Sequence, residues 1–235
     1  MPRWMVELVG ERFDLEYLRE QVCSAELGVT EEDGRFYLQA AELESLSNID
    51  SVRSQAKMLL QHLNGAAKLD SPSFKLVELG SAVRDGQKMH QVIEVASINI
   101  RCKFGVADIL SSQSQKNNPE HTNIEIRSVV ASRYPEVAKV LVLLASEETT
   151  SWGTLYKVYE IVWSDVRGAM YRNGWFRKSE ASLFRRTANS PLAIGDEAAR
   201  HGYQKEQPPP NPMSLTQARL LMANLVKRWI LSKCP

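Results

Sequence analysis

The pattern of hydrophobic and polar residues changes along the chain, and the change predicts two structural parts. In the first part, apolar and polar residues alternate over short segments such as Trp4–Leu8 and Ile98–Phe104, as expected for half-buried strands. Two helical stripes interrupt these segments. One helix is predicted to begin at Asp14 as its N-cap, and the other covers about Asp50–Lys68, where Asn64-Gly65 is expected to fray or bend it.

Two turn signals pair these strands. Asp33-Gly34 and Arg84-Asp85-Gly86 each lie between residues of high strand propensity, and an Asp-Gly pair is a strong hairpin signal because it tolerates positive φ. The predicted order is strand, helix, hairpin, helix, hairpin. We therefore predict an α+β fold in which an antiparallel sheet with two covering helices forms residues 1–110.

The polar residues 111–123 are predicted to form a loop or linker, and Ile124–Ala131 is interpreted as one more strand. Beyond Pro135 the period becomes helical, so residues 124–235 are predicted to form a mainly helical module. Its clearest stripe runs from Trp152 to Val166 at the spacing i, i+3, i+4, i+7. We interpret this stripe as a packing face of a helical bundle, with stacking on nucleic-acid bases as the alternative.

Shorter signals divide the end of the chain. Ser179 is predicted to cap a helix that ends near Asn189, and a second short helix is expected over Leu192–His201. Ser214-Leu-Thr-Gln217 matches a capping box. The last helix should therefore begin directly after Ser214.

Composition excludes several classes of protein. No apolar run approaches the length of a membrane span, and the amino terminus lacks the apolar core of a signal peptide. The three cysteines and four histidines show no metal-ligand spacing. We therefore expect a cytoplasmic, bacterial protein without a metal or cofactor.

Charge is distributed unevenly. Residues 167–235 contain twelve Lys and Arg against four Asp and Glu, a net charge of +8 within a chain whose total is +1, which leaves −7 for residues 1–166. A basic end on an acidic body indicates a polyanionic partner such as RNA. The alternative is that the two halves attract each other.

Arg200 and His201 form the most suggestive chemical pair. Histidine titrates near neutrality and arginine can neutralise a phosphate, so with Asn189, Asp196 and Glu197 nearby they could form a phosphate-binding or acid–base site. The alternative is structural, because cations in the last turn of a helix are favoured by the helix dipole. The sequence contains no Walker loop, no G-x-S-x-G and no H-E-x-x-H motif.

Two resemblances accompany these patterns. The residues Thr187-Ala188-Asn189, Gly195–Gly202 and Pro212–Leu215 resemble a group of uncharacterised bacterial proteins. The small helical end with arginine and histidine near a helix terminus is similar to HEPN domains, which implies ribonuclease or nucleic-acid-binding activity in bacterial defence or stress systems. Active members of that family separate the arginine and histidine by several residues, whereas Arg200 and His201 are adjacent.

Three functional hypotheses follow. The first is a non-enzymatic binding or regulatory protein whose basic C-terminal part contacts RNA or another polyanion; its predicted contact residues are Arg172, Arg177, Lys178, Arg185, Arg186 and Lys205. The second is a metal-independent ribonuclease in which His201 acts as acid–base and Arg200 clamps the phosphate. The third is a subunit that binds another protein or a second copy of itself, with Trp175-Phe176 as the anchor.

Overall fold

A computed structural model describes residues 3–92, 123–146, 151–195 and 207–234. The chain forms two compact units: unit 1 contains Met1–Leu60 and Ser73–Glu125, and unit 2 contains Gln61–Pro72 and Ile126–Pro235. The division runs through a long helix, so the end of that helix belongs to the C-terminal unit. Residues 111–122 of the predicted linker 111–123 and the alternating segment Ile98–Phe104 lie outside the described residues.

Unit 1 is built on a five-stranded antiparallel sheet with the order β2-β3-β1-β4-β5. The strands are β1 (Trp4–Val9), β2 (Leu27–Glu32), β3 (Arg35–Ala40), β4 (Glu78–Asp85) and β5 (Lys88–Gln91). Asp33 and Gly34 both have positive φ in the two-residue turn between β2 and β3, as a twisted hairpin requires. Gly86, also at positive φ, forms the turn between β4 and β5. Both predicted hairpins are confirmed.

Three helices accompany the sheet: α1 (Arg12–Gln21), α2 (Ala41–Glu44) and α3 (Ile49–Asp70). The predicted cap of α1 is wrong, because Glu11 is the N-cap and Asp14 is buried within the first turn. In α3 the helix continues through Asn64-Gly65 without interruption. The predicted α+β fold, with an N-terminal antiparallel sheet followed by helices, is confirmed.

The remaining described elements are helical. They are α4 (Asn123–Arg133), α5 (Pro135–Leu144), α6 (Trp152–Val166), α7 (Ala169–Arg172), α8 (Lys178–Ala188), α9 (Pro191–Ile194) and α10 (Leu215–Leu231). The strand predicted over Ile124–Ala131 is wrong, since these residues form most of α4. Within this helix Ile124, Arg127 and Ala131 are all buried, a spacing that gives one helical face.

Capping explains where several helices begin. Ser151 caps α6 by accepting a hydrogen bond from the Thr154 amide at 3.1 Å. Ser214 and Gln217 form the predicted capping box of α10, with distances of 3.2 and 2.9 Å. The predicted cap of α8 is wrong, because the helix begins at Lys178 rather than after Ser179. Its first turn is held instead by Glu180, which accepts from the Arg177 amide at 3.0 Å.

Aromatic residues fill the core of unit 2. The ring of Phe184 in α8 lies 5.9 Å from Trp152 and 5.7 Å from Tyr159 in α6. Trp229 of α10 is fully buried, and its indole donates a hydrogen bond to Asp165 at 2.6 Å. The predicted packing face of α6 is therefore confirmed for most of its stripe. Among the described residues, no helix is long and apolar enough to cross a membrane.

Candidate nucleic-acid interface

Five of the predicted contact residues lie on the surface of unit 2, and all five are exposed. We call this set the basic surface: Arg172, Arg177, Lys178, Arg185 and Arg186. Arg172 ends α7, Arg177 is the N-cap of α8, and the other three belong to α8. The predicted residues Lys205, Arg200 and His201 lie outside the described residues.

The amphipathic pattern of α8 turns its cations toward solvent. Ala181, Phe184, Thr187 and Ala188 are its buried residues. At 100° per residue they occupy one side of the helix, Arg186 falls on the opposite side, and Lys178 and Arg185 lie at the edge of the buried face. Lys178 and Arg185 are two turns apart and therefore separated by about 10 Å along the axis. The basic surface thus presents cations along the length of α8.

The cations of the basic surface also differ in their pairing from the cations near the C-terminus. Within the described residues, none of the five forms an ion pair with a carboxylate. By contrast, Lys227 pairs with Asp70 at 2.9 Å and Lys233 pairs with Asp165 at 2.7 Å. Arg228 donates to the carbonyl oxygen of Gly174 at 2.8 Å. The C-terminal cations therefore contribute to the fold, whereas those of the basic surface are not neutralised by a carboxylate among the described residues.

An aromatic cluster adjoins this surface. Trp163, in the last turn of α6, stacks on Tyr159 with centroids 6.4 Å apart and an interplanar angle of 15°. Tyr171 of α7 lies 5.7 Å from Trp163 in a tilted arrangement. Trp163 is 38% exposed, whereas Tyr159 is 4% exposed. Here the stripe of α6 leaves the core, and one of its aromatic rings reaches solvent.

The hydroxyl of Tyr159 connects this cluster to the basic surface. Burial raises the pKa of Tyr159 to about 12, a hydrogen bond with Tyr171 adds to the rise, and the neighbouring Arg185 opposes it. Tyr159 therefore stays protonated at neutral pH and contacts both Tyr171 and Arg185. The side chains of Trp163, Tyr171 and Arg185 thus surround one buried tyrosine.

Asn189, predicted as catalytic, lies at the C-terminal end of α8. Its Nδ2 atom donates to the carbonyl oxygen of Arg185 at 2.9 Å. Within the described part of the chain, its Oδ1 atom and the Oγ atom of Ser190 are buried without hydrogen-bond partners. The nearby hydroxyl of Thr187, by contrast, has a hydrogen-bond partner, because it accepts from the Met213 amide at 3.1 Å. Two buried polar atoms with free bonding capacity therefore lie just after the C-terminal end of α8.

Trp175 and Phe176, predicted as a protein-binding anchor, differ in burial. Phe176 is 1% exposed and packs on Tyr159 with centroids 5.9 Å apart, so it belongs to the core. Trp175 is half-buried. Trp163 was predicted as part of the packing face of α6, with base stacking as the alternative, and no role was predicted for Tyr171. The available signal was position, since Trp163 lies one turn before the end of the stripe, where a helix leaves the core.

Other kinds of site find less support in the described residues. No group of three or more His, Cys, Asp or Glu side chains there is arranged to hold a metal ion. A mostly apolar groove of about 240 Å³ lies in unit 2 and is lined in part by Leu69, Leu155 and Met222. Asp70 and Lys227 at this groove pair with each other. The groove is also lined by Lys68 and Arg219, so it combines apolar contact with charged side chains.

Compared with known proteins, the chain matches no protein-family model, no curated protein and no solved structure. Its function is therefore inferred from the geometry and charge of the chain itself.

Proposed function

We propose that this protein binds RNA through the basic surface and has a non-enzymatic, regulatory role. The observation that carries the proposal is the group of five exposed cations without a carboxylate partner among the described residues. Exposed ion pairs contribute little to stability, so unpaired surface cations cost the fold little to retain. Their benefit is to a polyanionic partner, because each cation that neutralises a phosphate releases condensed counterions.

RNA is preferred to other polyanions because basic and aromatic groups occur together. Arg185 lies beside Tyr159, and Tyr159 stacks on the exposed Trp163. A ligand that carries both phosphates and aromatic bases can use both kinds of contact. A sulfated or carboxylated polymer can use only the charges.

The binding test uses a fluorescently labelled single-stranded RNA in gel retardation at low and moderate salt. The test variant is Arg185→Glu with Arg186→Glu. Because two phosphate contacts are lost, we expect the affinity at low salt to fall at least about tenfold and the salt slope to decrease by about 1.4. The control is Lys57→Glu with Lys139→Glu, which makes the same change in net charge at exposed lysines outside the basic surface.

The control should bind nearly as well as the unaltered chain. Equal losses in both variants would indicate an effect of net charge alone and would contradict a defined interface. Absence of salt-sensitive retention by the unaltered chain would overturn RNA binding altogether.

A metal-independent ribonuclease is the second candidate function. The observation that favours it is the pair of buried polar atoms just after the end of α8, Asn189 Oδ1 and Ser190 Oγ, which have no hydrogen-bond partner in the described part of the chain. In this proposal Asn189 orients the substrate, Arg200 neutralises the phosphate and His201 transfers protons. The same gels test it, because intact and cleaved RNA separate in one lane. Cleavage in the presence of a chelator that is lost in His201→Ala, with retention unchanged, would support the enzyme.

A further inference from the structure

The exposed indole of Trp163 distinguishes this part of unit 2 from a surface that carries only charged side chains. Five other residues of the α6 stripe are 7% exposed or less, namely Trp152, Leu155, Tyr156, Tyr159 and Val162, whereas Trp163 is 38% exposed. Its contacts with Tyr159 and Tyr171 hold it from within the protein. The ring is therefore supported on the protein side and accessible on the solvent side.

The charges near Trp163 indicate the kind of ligand that is complementary to this ring. Tyr171, which contacts Trp163, is followed directly by the exposed Arg172, and Tyr159, which stacks on it, contacts Arg185. Neither arginine is paired with a carboxylate among the described residues. An exposed aromatic ring whose two supporting tyrosines adjoin arginines without a carboxylate partner is complementary to a ligand with a π-face and adjacent negative charges.

Phe13 shows that exposure alone does not produce this environment. It is 72% exposed in α1 of unit 1. The neighbouring Arg12, however, is paired with Glu16 at 2.7 Å and with Glu31 at 3.2 Å. An anionic ligand at Phe13 would therefore meet arginine charge that is already neutralised. Phe13 supplies a matched exposed aromatic residue without available positive charge.

We infer that Trp163, supported by Tyr159 and Tyr171, is a stacking platform for an unpaired base of single-stranded RNA, with Arg172 and Arg185 contacting the flanking phosphates. This inference rests on the proposed RNA binding and specifies the form of the nucleic acid. In a duplex the bases are paired and stacked on each other, so a protein ring cannot cover their faces. In a single strand every base has an accessible π-face.

The experiment compares three labelled ligands by fluorescence anisotropy: a uridine oligonucleotide, an abasic strand of the same length, and an RNA duplex. The key variant is Trp163→Leu, which keeps an apolar side chain and removes the aromatic face. We expect its affinity for the uridine strand to fall about 5- to 150-fold, the range given by the loss of one stacked base. Its affinity for the abasic strand and the duplex should stay unchanged.

Two further variants control for folding and for aromatic chemistry. Trp163→Phe keeps a π-face and should restore most of the affinity for the uridine strand. Phe13→Leu removes the exposed aromatic of unit 1 and should have no effect. Thermal unfolding followed by circular dichroism identifies any loss of fold in Trp163→Leu. Because its contacts with Tyr159 and Tyr171 contribute to packing, a misfolded variant would lose binding to all three ligands, and Trp163→Phe would then decide the question.

The outcomes separate the inference from the function on which it rests. If Trp163→Leu binds the uridine strand normally, or if it loses equal affinity for the abasic strand, base stacking at Trp163 is overturned. The RNA-binding proposal survives that result, provided that salt-sensitive binding persists and that Arg185→Glu with Arg186→Glu still weakens it. If the unaltered chain binds none of the three ligands, both proposals fail.

Discussion

Gly65 of α3 lies against the backbone of Leu141 in α5, so closely that a Cβ atom on Gly65 would be 2.1 Å from the Leu141 carbonyl oxygen. The neighbouring atom belongs to the backbone of another helix and cannot rotate away. Glycine inside a helix usually costs about 0.5–1 kcal/mol relative to alanine. Here that cost is offset by the close approach of two helices within unit 2.

We therefore predict that Gly65→Ala destabilises the protein, against the usual helix propensity. Overpacking in a core costs about 1–3 kcal/mol, and we expect about 3 kcal/mol because the clash is with the backbone. The matched control is Gly153→Ala in α6, where an added Cβ would meet, among the described residues, only Ser151 Oγ at 3.9 Å. That change should increase stability by up to about 0.5–1 kcal/mol. Urea denaturation of both variants measures the difference, and equal effects would show that the two helices can separate.

Asp70 is the second position where two distant parts of the chain meet in unit 2. Its carboxylate accepts from Arg127 Nη1 at 2.6 Å and pairs with Lys227 at 2.9 Å. Burial by itself raises the pKa of Asp70, but the hydrogen bonds and charges of Arg127 and Lys227 outweigh burial, so the pKa lies below its ordinary value of 3.8. The unfolded chain consequently binds this proton first on acidification.

A pH dependence of stability follows from that order. The contribution of Asp70 is fully present above about pH 4 and is lost as the pH falls through its lowered folded-state pKa. Asp70→Asn should remove this contribution and cost about 2 kcal/mol at pH 7, because Arg127 is left nearly buried without its counter-charge. Urea denaturation from pH 7 down to pH 3 is the measurement. Glu136→Gln, an exposed carboxylate in the first turn of α5, is the control. An acid-induced loss of stability as large in Asp70→Asn as in the unaltered chain would contradict the assignment.

The contacts of Gly65 and Asp70 also show which features of the fold could be predicted from the sequence and which could not. The hairpin turns, the stripe of α6 and the capping box at Ser214 depend on residues close to each other in sequence, and all three predictions are confirmed. Gly65 was interpreted as a weak point in α3 because its partner, Leu141, lies far along the chain. A local pattern contains no information about such a partner.

The error at α4 has a similar cause. Its sequence is rich in β-branched residues, which favour strands. Two polar residues at its start, however, find distant partners that fit a helix. Glu125 accepts from the amides of Cys23 and Ser24 at 2.6 and 2.9 Å, and Arg127 pairs with Asp70. Tertiary contacts therefore outweigh local propensity in this segment.

The candidate interface was predictable only in part. Net charge by segment identified the basic end of the chain, but it could not distinguish free cations from paired ones. The structure makes that distinction for two lysines: Lys178 is exposed without a carboxylate partner among the described residues, whereas Lys227 pairs with Asp70. Similarly, periodicity assigned Trp163 and Tyr159 alike to the core. Only the structure shows that the packed face of α6 ends before Trp163.

The distinction between free and paired cations yields a quantitative prediction for RNA binding. Lys178 and Arg172 are exposed and have no carboxylate partner among the described residues, whereas Lys227 pairs with Asp70. Because each phosphate contact on a single strand contributes about 0.7 to the salt slope, Lys178→Ala and Arg172→Ala should each reduce the slope by about that amount. Lys227→Ala should leave the slope unchanged. Titrations of one RNA oligonucleotide at several salt concentrations measure all three slopes. A reduction as large in Lys227→Ala as in Lys178→Ala would mean that charge pairing does not govern which cations contact RNA, and the basic surface would lose its physical basis.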